Sequence, residues 1–205
     1  MQVSKLELFT QEAFYFQLPN FSFWKEQIKQ IVLVEDNQNI HGHTTIPKEE
    51  CQVKAKRTAW NSHKRYPILK ELCDEIRKHL TVFIENNDYD IPIIEERECW
   101  INWYGKNNYA QPHHHAGNLA TVLFVDVENT DAKFIFNSNN NFVLIKKNVV
   151  ETNFTNLKEL EVKDGTVLFF DGSFYHSVSP NTTDHTRITV AANFDVVYQK
   201  DRNEY

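Results

Sequence analysis

The spacing of apolar positions along the chain changes near residue 97, which predicts a helical first part and a strand-built second part. Trp24, Ile28 and Ile31 recur at i, i+4 and i+7, so they form one stripe on a helix that Ser22 can cap. A longer stripe of Leu69, Leu72, Cys73, Ile76, Leu80 and Phe83 follows Pro67, whose fixed φ suits a first helical turn. A helix with one apolar face is expected to lie flat on a sheet. From about residue 97, short runs of β-branched and aromatic residues are bounded by Gly, Asn, Asp and Pro. They predict strands over 99–104, 119–127, 133–136, 142–145, 166–170 and 187–194, with a polar loop at 137–141. Helices that precede strands, and do not alternate with them, indicate a mainly β protein with flanking helices (α+β), and a double-stranded β-helix or jelly roll leads. The 205 residues suit a single domain: 1–95 as N-terminal helical and loop support, 96–198 as the jelly-roll core.

Composition narrows the function classes. A 41% hydrophobic and 24% charged chain is globular, and no apolar run approaches the roughly 18–20 residues of a membrane-spanning helix. The net charge of −6, with no long single-sign run, argues against a nucleic-acid partner. The basic stretch Lys54-Ala55-Lys56-Arg57, with Lys64 and Arg65, is expected to be a solvated face beside a helix start. Cys51, Cys73 and Cys99 are odd in number, widely spaced and without a CxxC pair, which predicts reduced thiols and no cysteine zinc site. Residues 1–7 contain neither an apolar signal region nor a small-residue cleavage site, so a cytoplasmic setting is expected.

The densest chemistry is Gln111-Pro112-His113-His114-His115-Ala116-Gly117-Asn118, just ahead of an apolar strand. In extended backbone, side chains at i and i+2 point the same way, so His113 and His115 can chelate one metal while His114 faces elsewhere. Imidazole suits Fe(II), Zn, Cu and Ni alike. A third ligand must come from another part of the sheet, and His176, just past the Asp171-Gly172-Ser173 turn, is the best placed. Eleven positions later Arg187 opens an apolar strand, where a guanidinium needs an anionic partner such as a bound dicarboxylic acid. His41-Gly42-His43 repeats the pair spacing in a polar stretch and reads as a surface loop or part of a lid; His63, His79 and His185 read as structural or exposed.

Three stretches carry a family resemblance: Trp100-Ile101-Asn102-Trp103-Tyr104-Gly105 with His113-His114-His115, residues 164–178, and the strand from Arg187 to Asn193-Phe194. Together with Trp60-Asn61-Ser62, over roughly residues 55–195, they resemble the 2-oxoglutarate- and Fe(II)-dependent oxygenases, in particular a prolyl-hydroxylase-like branch of bacteria and bacteriophages. The resemblance implies Fe(II) on His113, His115 and His176, and 2-oxoglutarate anchored by Arg187 with help from Tyr104 or Asn102. It also implies dioxygen as oxidant and hydroxylation coupled to formation of succinate and CO2. Most of the superfamily carries a carboxylate where His115 stands, so Asp126 or Asp171 is an alternative third ligand, with His115 then supporting it. Trp100, Trp103, Phe124 and Phe169 are expected either to wall the reactive centre or to pack the core.

Two other functions share parts of this pattern: a cupin-type three-histidine metal enzyme without 2-oxoglutarate, in which Arg187 is a structural ion pair, and a non-catalytic jelly-roll binding protein. The expected substrate is a peptidyl side chain or small metabolite, and the single chain leaves room for a homodimer.

Overall fold

The structure is a computed structural model and describes residues 12–37, 51–86, 93–115, 117–137 and 157–197. The expected strand at 142–145 and the His41/His43 pair lie outside the described residues. In chain order the elements are β1 (Ala13–Gln17), α1 (Phe21–Asn37), β2 (Val53–Lys54), β3 (Lys56–Arg57), α2 (Ser62–Arg65) and α3 (Pro67–Asn86). Then follow β4 (Ile93–Tyr104), β5 (Tyr109–His113), β6 (Leu119–Asp126), β7 (Phe134–Asn137), β8 (Leu157–Leu160), β9 (Thr166–Asp171), β10 (His176–Val178) and β11 (Arg187–Val197).

Two antiparallel sheets face each other. The larger runs β1-β9-β6-β11-β4-β3 and the smaller β2-β5-β10-β7-β8. Non-consecutive neighbours in both sheets make this a double-stranded β-helix with the long helices α1 and α3 on the outer face of the larger sheet.

Side-chain alternation explains the two cores. On the outer face, Cys99, Ile101 and Trp103 of β4, Leu123 and Val125 of β6, Val167 and Phe169 of β9, and Ile188, Val190 and Ala192 of β11 pack against α1 and α3. The helices supply Ile28, Ile31, Leu69, Leu72, Ile76 and Leu80. Between the sheets, Tyr104, Val122, Phe124, Leu168 and Phe170 meet Ala110, Phe134 and Val178. A strand buried on both faces shows no polar alternation, and residues 119–126 are such a strand.

Several expectations change. Trp103 and Phe169 belong to the helix-facing core, so only Trp100 and Phe124 of the four expected aromatics face the interior; odd and even positions of one strand cannot share a face. The first 95 residues are more than helix and loop, because they supply β1 to the larger sheet and one short strand to each sheet edge. The basic stretch is not simply a solvated face: it forms β2 and β3, and Arg57 is fully buried with its guanidinium 3.5 Å from the centroid of Trp60. The first long helix opens at Phe21, after Asn20 in the left-handed region (φ 51°), so Ser22 lies in its first turn. Among the described residues no helix is long and apolar enough to cross a membrane.

Candidate metal centre

The alternation that separates the cores also builds a polar ladder on the interior face. Arg187, Thr189, Ala191 and Asn193 of β11 pair across the sheet with Tyr104, Asn102, Trp100 and Glu98 of β4. Below Glu98 the register slips, with Asn193 opposite Glu98 and Phe194 opposite Glu96. The extra residue, Arg97, reverses the facing, so Glu96 turns to Lys70 and Arg77 of α3 while Glu98 turns inward.

Opposite this ladder the smaller sheet carries the histidines. His113 ends β5 and His176 starts β10, and the two are direct cross-strand partners. His115 follows two residues later, on a loop tied to the β9–β10 turn by hydrogen bonds from His115 N to Gly172 O (2.8 Å) and from Gly172 N to Asn118 O (3.0 Å). Backbones approach so closely there that a Cβ on Gly172 would collide with the carbonyl oxygen of Gly117. One ring nitrogen from each of His113, His115 and His176 lies within 4.8 Å of the others.

Hydrogen bonds decide which nitrogens converge. Nδ1 of His113 donates to Gln111 O at 2.7 Å, and Nδ1 of His176 to Phe174 O at 2.9 Å. A carbonyl oxygen only accepts, so each Nδ1 carries the proton and each Nε2 keeps its lone pair. At His115, Nδ1 lies 2.6 Å from Asn193 Oδ1, while Asn193 Nδ2 donates to Glu98 Oε2 at 2.9 Å. The Glu98 carboxylate therefore orients the Asn193 amide, and the amide oxygen selects the same tautomer of His115. Burial is the first cause holding all three imidazoles below their ordinary pKa, with His115 at about 4, so neutral ligand-ready rings prevail near pH 7.

The carboxylates considered as alternatives point elsewhere. Asp126 bonds Lys29 (2.8 Å), His185 (3.0 Å) and Lys25 (3.3 Å), and Asp171 accepts the Ser173 N–H in its own exposed turn. Among the described residues, the three histidines are the group that could hold a metal. His114 is exposed and packs on Tyr175, His63 is buried, and His79 packs on Phe16 and contacts Glu75.

A narrow cleft runs inward from the imidazoles between Asn102, Tyr104, Thr189 and Arg187. Arg187 is buried over the rings of Tyr104 (5.2 Å) and Phe124 (5.5 Å), and its Nε and Nη2 lack a hydrogen-bond partner among the described residues. Burial lowers its pKa to about 10, and burial raises that of Tyr104 to about 12, which keeps the phenol neutral and able to donate. The buried Asn102 Oδ1 is also without a partner among the described residues. A buried cation without an anion is costly, and a carboxylate is the group that satisfies it.

Residues 98–193 match the family model described as "Putative 2OG-Fe(II) oxygenase". That match covers just under half of the chain and falls on the jelly-roll core. Solved structures share its fold: a Pseudomonas putida prolyl-4-hydroxylase is 11% identical with a TM-score of 0.62, over 91% of this chain and 93% of that one. A Trichoplax adhaerens prolyl hydroxylase, solved with a hypoxia inducible factor peptide fragment, is 11% identical with a TM-score of 0.64, over 95% and 87%. HygX from Streptomyces hygroscopicus, solved with nickel and 2-oxoglutarate, is 14% identical with a TM-score of 0.61, over 91% and 83%. No curated protein matches the chain by sequence. The core is thus similar to 2-oxoglutarate- and Fe(II)-dependent oxygenases in sequence and shares the fold of the prolyl-hydroxylase structures.

Sequence reading passed over Asn193 and Glu98 as functional residues, although each was within reach. Asn193 is six residues from Arg187 on one strand and therefore on its face, as Glu98 is with Trp100, Asn102 and Tyr104.

Proposed function

We propose that His113, His115 and His176 hold Fe(II) through Nε2, that Arg187 binds the distal carboxylate of 2-oxoglutarate, and that Tyr104 and Asn102 line its path. The substrate in this reading is a peptidyl side chain or a small metabolite. Arg187 carries it: a buried guanidinium with no anionic partner among the described residues, lining the same cleft as the imidazole cluster. The donor set suits the metal, since a ring nitrogen of each histidine converges and each Nδ1 has an acceptor, which leaves the Nε2 lone pairs for coordination.

The bound metal supplies activation of dioxygen, coupled to oxidative decarboxylation of the keto acid. The protein's own part is positional. Asn193 and Glu98 hold the His115 tautomer, the neutral Tyr104 hydroxyl is available to donate, and Phe134 stacks on His176 with ring centroids 5.3 Å apart. Phe134, Val122 and Val178 line the cleft and limit water around Arg187. A three-histidine metal enzyme without a keto acid would use the same imidazoles, but it would leave the Arg187 guanidinium unsatisfied.

Anaerobic titration of 2-oxoglutarate into the Fe(II) protein tests the reading. A visible charge-transfer band is expected in the wild type and not in Arg187→Ala, and a wild type that loads Fe(II) but develops no band overturns it.

A further inference from the structure

A second cavity, of about 460 Å³, opens outside the imidazole cluster and shares Val53, Trp100, His113 and His115 with the inner cleft. Among the described residues it adjoins His113 and His115 from the side opposite the inner cleft's Arg187, where a molecule can be presented to the metal. Glu98 is the only carboxylate among the described residues that line this chamber, and no lysine or arginine lines it. Its Oε2 accepts from Asn193, while its Oε1 makes no hydrogen bond among the described residues. Aromatic walls stand beside it: Trp60 and Trp100 meet edge to face with centroids 4.6 Å apart, and Tyr175 lines the same chamber. Arg57, fully buried against Trp60, feels the charge of Glu98 but does not line the chamber, where Oε1 still has no donor among the described residues.

Each ligand class meets these walls differently. An anion would face Glu98 and the electron-rich ring faces. A neutral apolar group would leave Oε1 desolvated without a donor, and a neutral hydroxyl or amide would give it a weaker hydrogen bond than a cation does. An ammonium or guanidinium group gains a charge-assisted hydrogen bond from Glu98 and attraction from the indole rings.

We propose that this chamber binds a cationic co-substrate, whose alkylammonium or guanidinium group is held by Glu98 beside Trp60 and Trp100. The proposal rests on the oxygenase reading and adds the substrate class. The cation can belong to a basic side chain of a peptide or to a free amine, and the two sources share the chemistry.

The test uses the full-length protein loaded with Co(II) and 2-oxoglutarate, so that nothing turns over. Calorimetry compares acetyl-Gly-Lys-Gly amide with its norleucine counterpart, and 1-aminopentane with 1-pentanol. In at least one pair the cation is expected to bind roughly ten-fold or more tightly, and the pair with the larger ratio identifies the source. Glu98→Gln keeps an acceptor for Asn193 and is expected to bring the ratio within about two-fold. The ratio is internal to each protein, so a change in metal affinity cancels. Equal affinities within both pairs, binding by no cation, or a ratio that persists in Glu98→Gln overturns the proposal. Failure of the Co(II) protein to take up 2-oxoglutarate would instead overturn the oxygenase reading.

Discussion

Replacing Arg187 with methionine is expected to make the protein more stable and unable to bind its cosubstrate. The guanidinium is 1% exposed, with two nitrogens lacking partners among the described residues, and aromatic rings as its neighbours. Burial brings its pKa down to about 10, against a small opposing contribution from Tyr104. The fold thus holds this proton more weakly than the unfolded chain by more than two tenfold steps, or about 3 kcal/mol. Because the folded-state pKa is depressed, that cost is constant below about pH 10 and shrinks only above it. Methionine keeps an unbranched chain of similar length without the charge. Arg187→Met is therefore expected to gain up to about 3 kcal/mol at pH 7 in the absence of 2-oxoglutarate, roughly 5–10 °C in Tm for a chain of this size. The wild type should gain about 2.7 kcal/mol from 2-oxoglutarate at a hundred times its Kd, and the variant nothing. Scanning calorimetry of both metal-loaded proteins, with and without 2-oxoglutarate, reads all four states. A variant clearly less stable than wild type without the keto acid, or one that still responds to it, refutes the reasoning.

Other outcomes follow from the same geometry. Asn193→Ala removes the acceptor that fixes His115 and is expected to weaken Co(II) binding 10–100-fold in competition titrations, with His113 and His176 still able to bind; unchanged affinity would show that the amide does not set the tautomer. Gly172→Ala drives a methyl group into the Gly117 carbonyl, so a loss of about 3 kcal/mol or more in denaturant unfolding is expected, together with poorer metal binding through the displaced His115 loop. The depressed imidazole pKa values predict that the metal-free protein loses stability as pH falls from about 6.5 towards 4, because the unfolded chain takes up protons that the buried rings refuse. Thermal melting against pH should show that slope, and His115→Gln should flatten part of it.

Local pattern reached a large part of this protein. The α3 stripe from Leu69 to Leu80 is buried as its period requires, and the strands expected at 99–104, 119–127 and 187–194, rich in β-branched and aromatic residues, are present, the first and last extended to 93–104 and 187–197. The short strands β2, β3 and β10 were not, because two or three residues carry no measurable period and are defined by their partners. The i, i+2 spacing of His113 and His115 announced a chelating pair, the turn at 171–173 and the opening of an apolar strand pointed to His176 and Arg187, and the family resemblance added their roles. Which ring nitrogens face a metal could not be read along the chain, because it depends on acceptors at Gln111, Phe174 and Asn193, the last 78 residues from its histidine. Asp126 and Asp171 remained open alternatives in sequence for the same reason, and only packing directs one to Lys25, Lys29 and His185 and the other into its own turn. The sequence by itself determined residue chemistry and strand parity, which are local properties. The tertiary structure decided the convergence of the three rings, the isolation of Arg187 and the inward turn of Glu98, because each depends on register between strands distant in the chain.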